Sequence, residues 1–466
     1  MTLTTDYLVV GAGMSGLAFA DELINHTDAH ITLVDRRDAA GGHWNDAYPF
    51  VKLHQPSVFY GVGSRDLTEY RIDEAGPNKG LLSLAEGPEI TAYAHGVMRD
   101  RLLASGRVRF LPLTEYQPDG KLRNLLSGAT ESVTIRRKLV DASYFTNIIP
   151  LTHARNFTVE AELACIPPNH APRLAPGFSH FTVLGGGKTA IDTVLWLLSR
   201  GAAPGDITWV TPRDSWFMNR AKTQPGPEFF TEVFTNFADQ RDDMANAANA
   251  RELAHLHEKS GTWLRLDPAV EPEMYHAATM SVGEVEALRP VRNVIRLGRV
   301  HHISRQAITL EKGEIPARPG TLYIDCTASA LTMKPPVTVF DGNRITLQLL
   351  RFPLIPFSAG LTAVLETHFQ TDAERNSFAR PVPMTNTVED YIRMLKVDME
   401  NRIMLGRDKT LRNWAIQSRL DGYGRIAAGI DKADAEKQAV LARVREASQA
   451  AYFNLPRLLA SIGEAA

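Results

Sequence analysis

The sequence has little of several things that would point to particular classes of protein. Its 466 residues include only two cysteines, Cys165 and Cys326, which are far apart and not in a Cys-x-x-Cys spacing. Flavoproteins that reduce disulfides need a closely spaced redox pair of cysteines, so that chemistry is excluded. Both thiols are expected to be small, buried apolar side chains.

A strong net charge and long apolar runs are also missing. Lysine and arginine number 51 against 53 acidic residues, which gives a net charge of −2 with no basic run. Neither nucleic acid nor an anionic membrane is therefore expected as a partner. No apolar stretch has membrane-spanning length, and the first residues lack the pattern of a signal peptide, so we expect a cytoplasmic protein. No metal is expected either, because the adjacent His301 and His302 would point to opposite faces of a strand.

What the sequence does have is a glycine-rich turn between an apolar run and a helical pattern, twice. The first copy runs from Tyr7 to Gly16 (YLVVGAGMSG) and the second from Phe181 to Ala190 (FTVLGGGKTA). This is the fingerprint of a dinucleotide-binding βαβ unit, in which the pyrophosphate lies at the N-terminus of the helix. In the first copy, Gly11 permits the tight turn and Gly13 the close approach of the backbone to the phosphates. Two units suggest two dinucleotides, most simply a flavin and a nicotinamide.

The two copies continue alike but differ where their second strands end. In the first copy the second strand ends at Asp35, which can accept hydrogen bonds from an adenosine ribose. In the second copy the corresponding position is Thr211, and Arg213 follows two residues later. Loss of the carboxylate removes a repulsion toward a 2′-phosphate, and an arginine can bind that phosphate with two hydrogen bonds. The second site is therefore predicted to prefer NADPH to NADH, unless that unit is vestigial and binds nothing. Lys188 either lies near the cofactor phosphates or is a solvated residue at the helix start.

The order of elements predicts an α/β fold with two Rossmann-like dinucleotide-binding domains, the second inserted in the first, and a helical C-terminal region. Residues 1–170 and 318–384 are assigned to the first domain, 171–317 to the second, and 385–466 to the helical region. Residues 107–140 predict a β-meander. The apolar run from Thr321 to Ala328 is expected to return the chain to the first sheet and to bring Ala328 to a cofactor. An aromatic-rich insertion, 214–290, could line a substrate pocket or form a lid, or could equally be a local core or a subunit interface.

Between the loops the chain reads Gly41-Gly-His-Trp44, followed by Tyr48-Pro49 and then His54-Gln55. Together with the two loops, this stretch resembles the flavoproteins with two dinucleotide-binding domains and is most similar to the class B flavin-dependent monooxygenases. These include N- and S-oxygenating and Baeyer–Villiger enzymes. The resemblance covers the two Rossmann units and the run that ends at Ala328.

The resemblance implies bound FAD and NADPH, with molecular oxygen and a small organic substrate as partners. NADPH would reduce the flavin, and a C4a-peroxyflavin would transfer oxygen to the substrate. With the residues of the two loops, the resemblance gives one set of expected cofactor-binding residues: Gly11, Gly13, Met14, Ser15, Gly16, Asp35, Arg36, Gly42, His43, Trp44, Ala328, Gly185, Gly187, Lys188, Thr189 and Arg213.

Two departures from the family concern the chemistry beside the flavin. His54 stands where Baeyer–Villiger enzymes carry an aspartate, and a Phe-x-Gly-x-x-x-His motif is missing between Phe157 and Phe181. His54 and Gln55 are the candidate catalytic donors, and an imidazole with a pKa near neutrality could also carry a proton. Alternatively, His54 makes only a structural hydrogen bond to backbone.

Other functions remain compatible with the sequence. The chain could be a flavin-dependent oxidase or dehydrogenase whose second Rossmann unit is structural, or a non-enzymatic, redox-responsive flavoprotein. A homodimer is compatible with the sequence as well.

Overall fold

The computed structural model describes residues 2–145, 147–329 and 333–464. Its strands are β1 (Thr2–Val10), β2 (Ile31–Val34), β3 (Val108–Leu111), β4 (Thr114–Tyr116), β5 (Lys121–Asn124), β6 (Thr130–Asp141), β7 (Thr158–Val159), β8 (Cys165–Ile166), β9 (His180–Leu184), β10 (Ile207–Val210), β11 (Ser215–Asn219), β12 (Trp263–Leu264), β13 (Met274–Met280), β14 (Val294–Ile295), β15 (Val300–Ile303), β16 (Ala307–Leu310), β17 (Gly313–Pro316), β18 (Thr321–Asp325), β19 (Phe340–Asp341) and β20 (Arg344–Thr346).

The helices are α1 (Met14–His26), α2 (Gly87–Gly96), α3 (Ala171–Leu174), α4 (Lys188–Ser199), α5 (Phe230–Asn246), α6 (Ala250–Lys259), α7 (Val282–Leu288), α8 (Ile355–His368), α9 (Asp372–Phe378), α10 (Val388–Arg407), α11 (Lys409–Gln417), α12 (Gly424–Ala428) and α13 (Ala435–Ser461). A 3₁₀ helix, Gly42–Asp46, follows β2.

The first domain is built on a sheet with the strand order β19-β20-β6-β1-β2-β3. Strands β1, β2, β3, β6 and β20 pair in parallel, while β4 and β5 form the predicted meander with antiparallel pairs that lead into β6. Helix α1 buries one apolar face on this sheet, and Leu17, Phe19 and Leu23 are inaccessible to solvent there. The sheet thus holds the first glycine-rich loop at the carboxyl end of β1.

The second domain has its own parallel sheet, in the order β14-β10-β9-β18-β8. The prediction that the Thr321–Ala328 run returns to the first sheet is wrong, because Asp325 pairs with Leu184 of β9 in the second sheet. Strand β8, assigned to the first domain, also belongs to the second. An apolar strand buried on both faces has the same sequence pattern in either parallel sheet, so the pattern could not assign β18. The strand that returns to the first sheet is β20.

The aromatic-rich insertion forms a local core with the C-terminal helices. The rings of Trp263 and Tyr275 stack at 4.3 Å, and both contact Tyr391 of α10. Phe237 of α5 packs edge-on against Tyr423 at 5.0 Å. Because Trp263 and Tyr275 are almost fully buried, these rings are part of the local core, which was one of the two interpretations of the insertion.

The region after residue 385 is helical, as predicted, with α10, α11, α12 and α13 in succession. Helix α13 packs against α5 of the insertion and α10 against α6, so the C-terminal region closes over the second domain. Among the described residues, no helix combines the length and the apolar character needed to cross a bilayer.

Candidate functional site: two dinucleotide loops and the network between them

The first loop has the backbone geometry that its glycines predict. Gly11 has a φ of +108°, and its N–H donates to the carbonyl of Val34 at 2.8 Å. Gly16 lies so close to the loop that a β-carbon there would be 2.0 Å from the carbonyl oxygen of Gly11. Gly13 is the N-cap of α1. The N–H groups in the first turn of α1 have no partner within the helix and point toward the loop. Met14 is buried and Ser15 half-buried in the first turn.

The predicted ribose acceptor lies beside this loop. The Asp35 carboxylate is buried and accepts the Ala12 N–H at 2.7 Å and the Arg37 N–H at 2.9 Å, one on each oxygen. Each oxygen keeps a further lone pair for a hydroxyl. Arg36, by contrast, is largely exposed, and its guanidinium lies 3.6 Å from Glu115 of the meander.

The Gly41-Gly-His-Trp segment closes over the first loop. The Gly41 N–H donates to the Ala12 carbonyl at 2.9 Å, and a β-carbon on Gly42 would lie 2.9 Å from the α-carbon of Gly13. The indole N–H of Trp44 donates to the hydroxyl of Tyr60 at 3.0 Å. The structure therefore brings Gly42 and Trp44 to the same place as the first loop.

His43, in the same segment, has its ring nitrogens 3.0 and 3.1 Å from the side-chain amide of Asn147. Burial, reinforced by the charge of Arg37, lowers the pKa of His43 to about 4. The imidazole is therefore neutral at physiological pH and can accept a hydrogen bond from that amide.

The second loop repeats the geometry of the first. Gly185 has a φ of +128°, and its N–H donates to the carbonyl of Val210 at 2.8 Å, the counterpart of the Gly11 bond. A β-carbon on Gly185 would lie 2.6 Å from the carbonyl oxygen of Cys326, so this position accepts only glycine. The half-buried Ala328 lies two residues after Cys326 in the chain. Because Cys326 contacts Gly185, Ala328 is close to the second loop and not in the first domain.

The space in front of both helices fits the phosphates of a dinucleotide. A β-carbon on Gly187, the N-cap of α4, would meet no atom within 4 Å, and one on Gly13 would meet only Gly42, at 3.6 Å. Next to the second loop, the buried hydroxyl of Thr211 has no hydrogen-bond partner among the described residues, and Arg213 is exposed beside it. An unused hydroxyl and an unpaired surface guanidinium are suitable donors for a ribose 2′-phosphate.

Lys188 is not a solvated residue at the helix start, which corrects that interpretation of it. Its side chain is 9% exposed and forms ion pairs with Asp192, one turn further along α4, and with Glu284 at 3.5 Å. Thr189 follows it in the first turn of α4, half-buried. The charge of Lys188 is thus used within the protein.

A buried network extends from Lys188 to the first domain. The hydroxyl of Tyr48 donates to Asp192 at 2.7 Å, and Arg220, fully buried, lies 2.9 Å from the other oxygen of Glu284. Burial raises the pKa of Asp192 despite the adjacent lysine. Burial alone would also raise the pKa of Glu284, but the charges of Lys188 and Arg220 hold it below its usual value.

The same network fixes the backbone at His54. The Nε of Arg220 donates to the His54 carbonyl at 2.8 Å, and the hydroxyl of Thr279 donates to the same oxygen. The side chains of His54 and Gln55 are half-buried and make no hydrogen bond within the described part of the chain. The structural interpretation of His54 therefore holds for its backbone and not for its ring.

The ring of His54 cannot carry protons at neutral pH, contrary to the expectation of a near-neutral pKa. Burial, with the positive charges of Lys188 and Arg220, lowers its pKa to about 3. A neutral imidazole still donates from one nitrogen and accepts at the other. A ring that is neutral in this pH range supports a hydrogen-bonding role for His54.

Tyr48, Asp192, Arg220, Thr279 and Glu284 were not identified from the sequence as site residues. One signal was present, since Lys188 and Asp192 have the i, i+4 spacing of a helical ion pair. The contacts of Arg220 with His54 and Glu284 join residues far apart in the chain and leave no local pattern.

Comparisons with known proteins agree with this architecture. A model of the NAD(P)-binding Rossmann-like domain matches residues 9–62. Two uncharacterized proteins, from Mycobacterium tuberculosis (strain ATCC 25618 / H37Rv) and Mycobacterium bovis, are each 40% identical over 420 residues, which is 90% of this chain and 78% of theirs. The chain belongs to the family of these mycobacterial proteins.

Among solved structures, the ε-caprolactone-bound form of cyclohexanone monooxygenase in its Loose conformation matches with a TM-score of 0.51 and 13% identity. The match covers 96% of this chain and 98% of that one. This chain thus shares the two-domain fold of that flavoprotein monooxygenase. The resemblance based on the two glycine-rich loops is confirmed at the level of the fold.

Proposed function

We propose that this protein is an FAD- and NADPH-dependent monooxygenase that acts on a small organic substrate with molecular oxygen. The proposal rests on one arrangement. Two dinucleotide loops of the same geometry follow parallel strands, β1 in the first sheet and β9 in the second. A buried polar network connects the His54 segment of the first domain to the second domain. This connection supports an arrangement in which one loop binds FAD, the other binds NADPH, and the two cofactors meet where the domains join. The shared fold with cyclohexanone monooxygenase supports the same assignment.

In this proposal the first loop holds FAD. The N–H groups at the start of α1 bind the pyrophosphate, Asp35 accepts the adenosine ribose hydroxyls, and the segment with Gly42 and Trp44 contacts the remainder of the molecule. The second loop holds NADPH at the start of α4, where Thr211 and Arg213 bind the 2′-phosphate. When bound and reduced by NADPH, FAD supplies the chemistry that activates oxygen.

The residues of the chain position and shield that chemistry. Arg220 and Thr279 hold the His54 carbonyl, which fixes where the imidazole and the amide of Gln55 stand. A neutral imidazole can donate a hydrogen bond to an oxygen atom of the activated group without delivering a proton to it. This matters because stray protons and water release peroxide instead of product.

The decisive experiment is anaerobic stopped-flow reduction of the purified protein. The protein is expected to be yellow with non-covalent FAD, and its flavin absorbance should bleach rapidly with NADPH and no added substrate. Bleaching only by an organic substrate would instead indicate an oxidase or dehydrogenase. No bleaching by NADPH or by any organic substrate tested would indicate the non-enzymatic, redox-responsive flavoprotein and would contradict the proposal.

A matched pair of loop variants tests the assignment of the two sites. Gly13→Val places a branched side chain where the FAD pyrophosphate lies, so the purified variant should be colourless. Gly187→Ala adds one methyl group to open space in the second loop, so it should keep FAD and the fold while weakening NADPH. Full FAD occupancy in Gly13→Val would show that the first loop is wrongly assigned.

A further inference from the structure

A cavity outside both dinucleotide loops has an unusual concentration of arginines. It has a volume of about 160 Å³ and lies where α10 and α11 meet the segment around Arg351. Its lining includes Arg351, Arg402 and Arg412 and one carboxylate, Asp421, together with the apolar Leu405 and Ala415. This volume exceeds that of a single water molecule several times over, so a small organic group fits in it.

The ion pairs within the cluster leave positive charge unused. Arg351 pairs with Asp421 at 2.7 Å, and Arg402 donates to Asp398 at 2.6 Å. Both carboxylates also accept backbone N–H groups, from Gly424 and Phe352 respectively, which uses part of their capacity as acceptors.

Two further arginines have no carboxylate partner. Arg412 donates only to the Gly406 carbonyl, at 3.3 Å, and Arg241 of α5 makes no hydrogen bond or ion pair within the described residues. The charge of Arg402, added to burial, lowers the pKa of Arg241 and that of Arg351, which places the three guanidinium groups within electrostatic reach of one another. Four cations therefore share two anions.

One donor inside the cluster is also unsatisfied. Among the described residues, the buried Nε–H of Arg351 has no acceptor, and the Oδ1 of Asp421, although ion-paired with Arg351, accepts no hydrogen bond. A buried, charged donor without a partner is destabilising unless a ligand supplies the acceptor. Guanidinium groups form their strongest hydrogen bonds with carboxylate and phosphate oxygens, often two at a time.

We propose that this cavity is an anion-binding site that takes a small organic molecule through a carboxylate or phosphate group. The guanidinium groups of Arg351, Arg402 and Arg412 bind the oxyanion, and the apolar lining of Leu405 and Ala415 contacts the carbon skeleton of its carrier. The site goes beyond the proposed monooxygenase activity and does not depend on it, because none of its lining residues belongs to either dinucleotide loop.

The test is thermal unfolding of the purified protein with FAD and NADP⁺ in excess, so that the phosphate sites of both loops are filled. Inorganic phosphate and succinate are titrated separately at constant ionic strength, with sodium chloride as the reference. A saturable rise in the melting temperature with phosphate alone indicates a phosphate site, and with succinate alone a carboxylate site. No rise beyond that in chloride with either probe overturns the proposal.

Two exposed arginines near the end of α10 and in α11 give a matched comparison. Arg412→Gln removes a charge that lines the cavity. It is expected to lower the affinity for whichever of phosphate and succinate binds by about tenfold or more, the usual effect of losing one charge-assisted hydrogen bond. Arg407→Gln removes a charge that does not line the cavity and should leave the affinity unchanged. Equal affinity in Arg412→Gln and the wild type would contradict the site.

A second pair of variants tests the positive potential without any probe. Ala415→Glu brings a carboxylate into the cavity, whereas Ala415→Gln brings in the same shape without the charge. The Glu variant should melt at a higher temperature than the Gln variant and should no longer respond to phosphate or succinate. A Gln variant as stable as the Glu variant would show that the cavity carries no excess positive charge.

Discussion

At the scale of single residues, His54 combines a fixed backbone with an imidazole that makes no hydrogen bond to the described part of the protein. Its carbonyl is held by Arg220 and Thr279, so a change of side chain leaves the anchoring bonds in place. Its low pKa follows from burial next to two cations, and this environment could not be read from the residues on either side of it. The sequence therefore could not predict the protonation state of His54.

His54→Ala is expected to keep FAD and near-normal anaerobic reduction by NADPH, because neither step uses the imidazole. Product formation should fall by roughly 10²- to 10³-fold, the usual contribution of one positioned hydrogen-bond donor, and peroxide release per NADPH should rise. Product and peroxide are quantified side by side in air-saturated buffer. Since the folded-state pKa is about 3, the wild-type rate should also show no inflection from this group between pH 6 and pH 8.

His54→Gln retains a side-chain N–H donor and is the matched variant, so it should recover part of the coupling that His54→Ala loses. Loss of FAD in His54→Ala would assign the residue to cofactor binding. Unchanged coupling with intact flavin would remove His54 from the mechanism.

We propose that Arg213 decides the choice of nicotinamide in the second site. Arg213→Ala should weaken NADPH about 10- to 150-fold, the equivalent of roughly 1.5–3 kcal/mol for a charge-assisted contact, and should hardly affect NADH. The measurement is the dependence of the flavin reduction rate on the concentration of each coenzyme. Arg289→Ala, at another exposed arginine of the same domain, is the control, and equal losses for both coenzymes would assign Arg213 to the fold.

At the scale of elements, local patterns predicted most of the structure, and assignment to a sheet was where they failed. The meander, the two strand–loop–helix units and the C-terminal helices each have a signal within a few residues, such as the turn at Gln117–Gly120, where the Gly120 N–H donates to the Gln117 carbonyl at 3.0 Å. Strand β18 has a clear apolar pattern too, but its partner β9 lies far away in the sequence. Pairing over such a distance is decided by the fold as a whole.

The packing of α1 against its own loop gives a prediction at this scale. Gly16→Ala would place a methyl group 2.0 Å from the Gly11 carbonyl oxygen, so helix and strand must separate. We expect the free energy of unfolding to fall by about 1–3 kcal/mol or more, as for other overpacked positions. Gly187→Ala meets open space and should be close to wild type. Denaturant unfolding with FAD in excess compares the two, and equal stability would contradict the close packing.

At the scale of the whole molecule, several buried histidines make the fold sensitive to acid. Burial lowers the pKa of His257, and it lowers those of His43 to about 4 and His54 to about 3. These groups bind protons less readily in the folded chain than in the unfolded one. His26 acts in the opposite direction, because its hydrogen bond to Glu22 raises its pKa.

Because the unfolded histidines titrate near pH 6.5, the stabilisation from these three neutral histidines is complete above that pH. It is lost progressively as the pH falls from about 6.5 toward 4, where the unfolded chain takes up protons that the folded chain refuses. Melting temperatures should therefore be nearly constant between pH 7 and pH 8 and should drop steadily below pH 6. A protein equally stable at pH 5 and pH 7.5 would contradict the burial of these rings.

The position of β20 in the first sheet has a consequence for biosynthesis. Arg344 of β20 forms an ion pair with Asp141, 203 residues earlier in the chain, and the whole second sheet lies between them. During synthesis at about 5–20 residues per second, β20 therefore leaves the ribosome roughly 10–40 s after β6, and the edge of β6 stays unpaired until then. The inserted domain has all its strands by Asp325 and can fold during that interval, whereas the outer domain, which emerges first, is completed last.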